Sequence, residues 1–279
     1  MNVKRKIKNG VQKIFPVGFR KNIACWLNRQ GWFPGREILS GGLIGDLHEK
    51  DPKTFHKFLW SNHFSAYSKW YDSEVLFNAD KMEPSRKEFF RDVSLVIKEL
   101  NLVPPDFRSV LEVGCSLGYL LHFLEKGIFK ESNELVGIDI DGPAIDKGRG
   151  YLERIGSKVN LIQGDMENLN NIIGEKKFDF VFAAGVLSYL NETDALDVIR
   201  KMLFRTKHLL ALVGLAHTVR NNNELQESEI SPSHHGQWIH NFEKLVNISG
   251  GKVVKSRWEG AKQYNFQTIC FVFAVPPKC

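Results

Sequence analysis

The chain has 279 residues, 43% of them hydrophobic and 25% charged, a balance that suits a globular protein and excludes a disordered or fibrous one. Its formal net charge of +6 is unevenly placed: residues 1–36 hold nine cations and no acid, which leaves 29 of the 38 basic residues against all 32 acids, a net of −3. Four cysteines, Cys25, Cys115, Cys270 and Cys279, form no C-x-x-C pair, which argues against a zinc site or disulfide framework and fits a reducing, cytoplasmic compartment.

In chain order, the basic arm comes first, its cations interleaved with Ile7, Val11, Ile14, Phe15, Phe19, Ile23, Trp26 and Leu27. Such an arm suits the inner face of an anionic membrane, nucleic-acid phosphates, or packing onto the main domain. No run reaches the ~18 apolar residues of a spanning helix. Asp51-Pro52 reads as an N-cap and first-turn proline opening a helix through Tyr71, with positions 56, 60, 63, 67 and 70 on one face. A second helix runs from about Pro84 to Leu100, and Pro104-Pro105 ends it. Residues 1–80 are expected to form the arm and a helical cap, and 81–279 the main domain.

From Ser109 the chain alternates apolar runs with amphipathic stretches. Strands are expected at 109–114, 134–140, 159–165, 178–185 and 208–216, and helices at about 118–129, 142–156, 192–206 and 236–249. The runs 252–258 and 267–274 leave no room for a crossover helix between them, so they are expected to pair antiparallel. The fold class is α/β: a doubly wound, seven-stranded sheet, mostly parallel, with its last strand antiparallel.

Glu112-Val113-Gly114-Cys115-Ser116-Leu117-Gly118 carries an apolar strand into a glycine turn, and Leu135-Val136-Gly137-Ile138-Asp139 ends the next strand in an acid. Glycines let backbone approach a ligand, and an acid so placed accepts both hydroxyls of a ribose. Asp139 or Asp165 also suits a helix cap. Only G-x-x-x-G is present, which disfavours a pyrophosphate cradle and hence a dinucleotide-dependent oxidoreductase.

These motifs resemble those of the class I S-adenosylmethionine-dependent methyltransferases over about 109–274, with Ser116 where the family usually has its middle glycine. The resemblance implies a Rossmann-like fold, S-adenosyl-L-methionine as cofactor, and Glu112, Gly114, Cys115 and Gly118 around its methionine half. Asp139, with Ile140 beside it, would hold the ribose, Asp165 and Met166 the adenine, and Gly185 would lie near the transferred methyl. Tyr71 is a candidate for the methionine carboxylate.

His217 and His240 are the candidate general bases, each with an ordinary structural role as the alternative. His63, Tyr67, Tyr189 and Trp238 are candidate acceptor contacts, and the polar stretch 221–235 reads as a lid or as plain surface. His234, His235 and His240 lack a completing carboxylate or cysteine, so no metal is expected. Neither N/D-P-P-Y/F nor a cysteine nucleophile follows the fourth strand, which disfavours base methylation of DNA. The expected reaction is methyl transfer to a small-molecule or glycan acceptor, at a hydroxyl oxygen. The alternatives are an RNA methyltransferase using the basic arm, or a non-catalytic cofactor-binding module.

Overall fold

The computed structural model describes residues 15–30, 36–64, 73–234, 236–264 and 267–277. The chain divides into two compact units, Met1–Trp70 and Tyr71–Cys279.

The first unit holds α1 (Val17–Arg29), α2 (Arg36–Ile44), α3 (Leu47–Lys50) and α4 (Pro52–Ser61). Ala24, Ile44, Leu47, Phe55, Leu59 and Phe64 form its apolar centre. The buried Arg20 guanidinium donates to Leu43 O (2.6 Å) and to both oxygens of Asp46 (2.6 and 3.2 Å). Burial alone would raise the Asp46 carboxyl, but hydrogen bonds from Arg20 and Lys50 bring it below its ordinary range.

α4 opens as its sequence indicates: Asp51 accepts from the Thr54 amide at 3.0 Å and Pro52 fills the first turn. It ends ten residues before Tyr71. The Phe64 amide donates back to Leu59 O (3.0 Å) and the His63 amide to Trp60 O (3.1 Å), while His63 takes a left-handed φ of 48°. This is a Schellman close without its usual glycine, fastened by buried Phe64 against Phe58. His63 therefore lies beyond the helix, not on its face, and Tyr67 and Tyr71 lie outside the described residues.

The second unit contains α5 (Pro84–Glu99), β1 (Ser109–Val113), α6 (Tyr119–Lys126), β2 (Glu134–Asp139), α7 (Gly142–Arg154), β3 (Val159–Gln163), α8 (Leu169–Ile173), β4 (Phe178–Ala184), α9 (Glu192–Phe204) and β5 (Thr206–Leu215). It closes with β6 (Glu229–Ile230), β7 (Trp238–Ile239), α10 (Phe242–Ile248), β8 (Lys252–Tyr264) and β9 (Gln267–Val275). Residues 74–77 pack within it: the Phe77 ring lies 4.3 Å from that of Tyr151, and Glu74 pairs with Arg154 at 2.7 Å.

The sheet order is β3-β2-β1-β4-β5-β9-β8; β1 to β5 are parallel, and β9 runs antiparallel to both neighbours. Its inner strands read as largely apolar runs because both faces are covered, with Phe180 and Phe182 on one side and Val181 and Ala183 on the other. Strand order reverses between β1 and β4, and at such a switch point the connections diverge to leave a crevice at the carboxyl edge.

The helix expected at 236–249 begins only at Phe242. Trp238–Ile239 instead pairs antiparallel with Glu229–Ile230, and Asn241 caps α10 by accepting from the Lys244 amide at 2.9 Å. Asn241 also donates to Asn223 O and Leu225 O, while Asn222 donates to Leu215 O and His240 O. The segment after β5 is therefore stapled to the sheet at its start and is not a loose loop there.

His240, 1% exposed, completes this clamp. Its Nε2 lies 3.0 Å from Leu187 O and its Nδ1 2.7 Å from Ser228 Oγ. A carbonyl only accepts, so Nε2 carries the proton and Nδ1 accepts from the serine hydroxyl. Burial lowers the imidazole to about 4. The unfolded chain then takes up this proton near pH 6.5 while the folded one resists, so the stability His240 contributes is complete above pH 6.5 and is lost as pH falls toward 4. In urea titrations at pH 7, 6 and 5, His240→Gln is expected to lose less stability with acidification than the parent, by on the order of 3 kcal/mol at the limit. Equal losses would contradict the buried neutral ring.

Candidate active site at the carboxyl edge

β1 ends at Val113 and the chain turns through three left-handed residues, Gly114 (φ 79°), Ser116 (φ 50°) and Gly118 (φ 80°). A Cβ on Gly114 would overlap the Val186 side chain, and one on Gly118 would lie 2.7 Å from Leu161. Ser116 adopts the backbone that glycine takes most readily, at a cost of roughly 1–2 kcal/mol. The turn keeps its glycine-type shape despite the substitution. Its amides are taken up in order: Gly114 and Cys115 donate to Ile138 O, and Ser116 donates to Asp139 Oδ2 at 2.8 Å.

Asp139 ends β2 beside that turn. Its Oδ1 accepts from the Asp141 amide at 2.9 Å, and Asp141, not Asp139, caps α7 by accepting from Ala144 at 3.1 Å. With one amide on each oxygen, the Asp139 carboxylate keeps acceptor capacity for two hydroxyls. Burial raises it to about 6 against the pull of those amides. Ile140 is half-buried next to it.

Glu112, 1% exposed on β1, has Oε2 without a hydrogen-bond partner among the described residues. Burial pushes its carboxyl well above the usual range, with Arg86 opposing and Asp139 adding to the rise. A buried acceptor left unsatisfied costs about 1–3 kcal/mol.

Arg86, from the first turn of α5, reaches the same edge. Its Nη2 lies 3.5 Å from Ala184 O, and a Cβ on Gly185 would stand 3.8 Å from it. Sequence reasoning missed Arg86. The available signal was electrostatic: a cation in a first helical turn opposes the helix dipole, which favours acids there.

Cys115 is placed differently from expectation. It is buried, burial drives its thiol well above the ordinary value, and its Sγ packs where a Cβ on Gly137 would come within 2.7 Å. Its side chain therefore fills the space against β2. Asp165 caps the turn 166–168, accepting from the Glu167 amide at 3.0 Å, and Met166 is half-buried against the sheet's second apolar face.

Across the switch point, Gly185 leads into a short turn whose Ser188 Oγ donates to Gly185 O at 2.7 Å. Half-buried Tyr189 ends that turn and half-buried Trp238 lies on the β7 strand packed near it. His217, just past β5, accepts at Nδ1 from the Val219 and Arg220 amides, both at 3.2 Å. Its proton is thus on Nε2, 3.8 Å from Glu229 Oε2. Neither His217 nor His240 presents a free lone pair in this geometry. Among the described residues, no group of three His, Cys, Asp or Glu side chains stands ready to hold a metal ion.

Residues 110–208 match the methyltransferase-domain family. The chain has no match among curated proteins. Among solved structures, it is similar to the magnesium protoporphyrin IX methyltransferase of Synechocystis PCC 6803 with bound SAH, at 17% identity and a TM-score of 0.57, over 81% of this chain and 100% of that one. A S-adenosylmethionine-dependent methyltransferase from Clostridium acetobutylicum ATCC 824 matches at 13% identity and 0.53, over 77% and 100%. The cyclase SpnF shares the fold at 13% identity and 0.53, over 68% and 82%. Residues 110–208 thus match a methyltransferase-domain family, and the strand order around the acid-lined turn is that of the Rossmann-like methyltransferase fold.

Proposed function

We propose that this domain methylates a hydroxyl oxygen of a small molecule or glycan, using the crevice between the glycine turn and the Tyr189 and Trp238 edge. The observation that carries the cofactor half is the pair of acids at the turn, buried Glu112 and half-buried Asp139. Glu112 has an unsatisfied oxygen and Asp139 has spare acceptor capacity, which suits a ligand bearing hydroxyls and positive charge and no phosphate. Bound there, S-adenosyl-L-methionine supplies an electrophilic methyl on a sulfonium.

In this reading Asp139 holds the ribose hydroxyls, residues 114–118 line the methionine half, and Asp165 and Met166 border the adenine. Arg86, at the end of β4, offers a cation for the carboxylate. On the acceptor side, Tyr189 and Trp238 provide a half-buried aromatic surface suited to a sugar ring or planar natural product. The contribution of the chain to the transfer is orientation: holding acceptor oxygen and methyl in line is worth far more than any single side chain in the crevice. His217 and His240 act as supports, since their lone pairs are already used.

Because Asp139 accepts hydroxyls only when ionised, calorimetry with S-adenosylhomocysteine is expected to give binding that weakens about tenfold per pH unit below 6. Asp139→Asn, which keeps the shape, should bind at least tenfold more weakly at pH 8 and lose that pH dependence. A parent protein that binds neither S-adenosylmethionine nor S-adenosylhomocysteine would remove the methyltransferase reading.

Acceptor screening that follows S-adenosylhomocysteine formation is expected to find turnover with hydroxylated sugars or natural products. With such an acceptor, His217→Gln should hold kcat within about threefold of the parent, whereas loss of a general base costs 100-fold or more. A 100-fold loss at His217 would restore it as the base, and turnover confined to RNA would replace the acceptor class.

A further inference from the structure

We infer that the first unit docks on an anionic lipid surface through the outer face of α1. The exposed positions Phe19, Asn22, Trp26 and Arg29 repeat at three- and four-residue intervals along α1, and Phe15 continues the row just before it. Phe15, Phe19 and Trp26 are 41%, 50% and 58% exposed, a degree of exposure that leaves three aromatic rings on one side of a single helix. Val17 and Leu39 add exposed aliphatic surface in the same unit.

The opposite face is already committed. Arg20 and Ala24 are buried, and Arg20 is neutralised by Asp46. The outer row is therefore left over after the unit's own packing is satisfied. Of the nine cations in residues 1–36, which contain no acid, Lys21 and Arg29 lie on α1 outside its buried positions, Arg29 in the exposed row itself. Aromatic rings at the headgroup level with cations beside them are what a peripheral helix presents to an anionic leaflet, where each cation adds roughly fivefold in affinity. No helix among the described residues is long and apolar enough to cross a membrane, so the contact is one of lying on the surface.

Nucleic acid also attracts cations and stacks on rings, and the composition of the patch decides between the two. The Phe15 and Phe19 rings stack on each other, centroids 5.2 Å apart, which occupies faces a base would need.

Cosedimentation of the full chain with phosphatidylcholine vesicles, with and without about one-third phosphatidylserine, tests the inference. The expected result is binding at least tenfold tighter to the anionic vesicles, weakened by salt. A chain carrying Phe19→Ser and Trp26→Ser should lose at least tenfold in vesicle affinity while melting at the parent's temperature. Should that variant fail to fold, Lys4→Gln, Arg5→Gln, Lys6→Gln and Lys8→Gln in one chain should abolish the anionic preference. Equal binding to neutral vesicles, no vesicle binding, unchanged binding by the folded variants, or displacement of the chain from vesicles by a mixed-sequence oligoribonucleotide would each overturn the assignment.

Discussion

Everything at the carboxyl edge of the sheet is organised by the two backbone amides that Asp139 gathers. One comes from Ser116 in the turn after β1 and the other from Asp141 at the head of α7. A single carboxylate at the end of β2 thus sets where the glycine turn lies and where the next helix starts, on adjacent strands at the switch point. The same group carries an energetic penalty: burial raises it to about 6, so at neutral pH the folded chain holds a charge that its surroundings resist. Both of its oxygens accept a backbone amide, which a neutral carboxamide with one acceptor oxygen could not do.

The turn shows the same trade. Ser116 occupies a left-handed backbone position where glycine would be unstrained, and its amide is then aimed at Asp139. The charge-assisted bond offsets the strain, so the loop retains the course that three glycines would give it. Behind it, Cys115 packs into the gap left by Gly137, so the loop is supported from the sheet side by a neutral thiol rather than by a side chain facing the crevice.

Where the sequence was legible, the reason was burial on both faces. The inner strands β1, β2, β4 and β5 are covered on both faces, so they stand out as largely apolar runs, and the short polar spacing before β9 forces antiparallel pairing. Two helices were misjudged because their limits are set by single side chains that composition does not single out. α4 closes on His63 in a conformation usually left to glycine, and α10 waits for Asn241 because Trp238–Ile239 is drawn into a two-residue hairpin. Residue type also cannot tell which lone pair of an imidazole is occupied: His217 and His240 were reasonable bases by chemistry and position, and only their partners at Nδ1 show otherwise. Arg86 was hidden for a related reason, lying about 100 residues before the strand end it serves.

On the proposed reading, the imidazoles of His217 and His240 are already spoken for, which constrains the chemistry the crevice can support. A sulfonium methyl is electrophilic enough that an acceptor oxygen held in line needs to shed its proton only as the new bond forms, and an acidic hydroxyl or a proton passed to water meets that need. An alkoxide generated in advance would demand a base with a free lone pair, which His217 and His240 do not offer. On the proposed reading, selectivity then rests on shape and orientation: the clamp made by His240, Asn222 and Asn241 holds the segments that carry Trp238 and Tyr189, the proposed acceptor surface. Loosening that clamp should therefore disturb which acceptors are used before it disturbs cofactor binding, because Asp139 and the glycine turn are held by a separate set of hydrogen bonds.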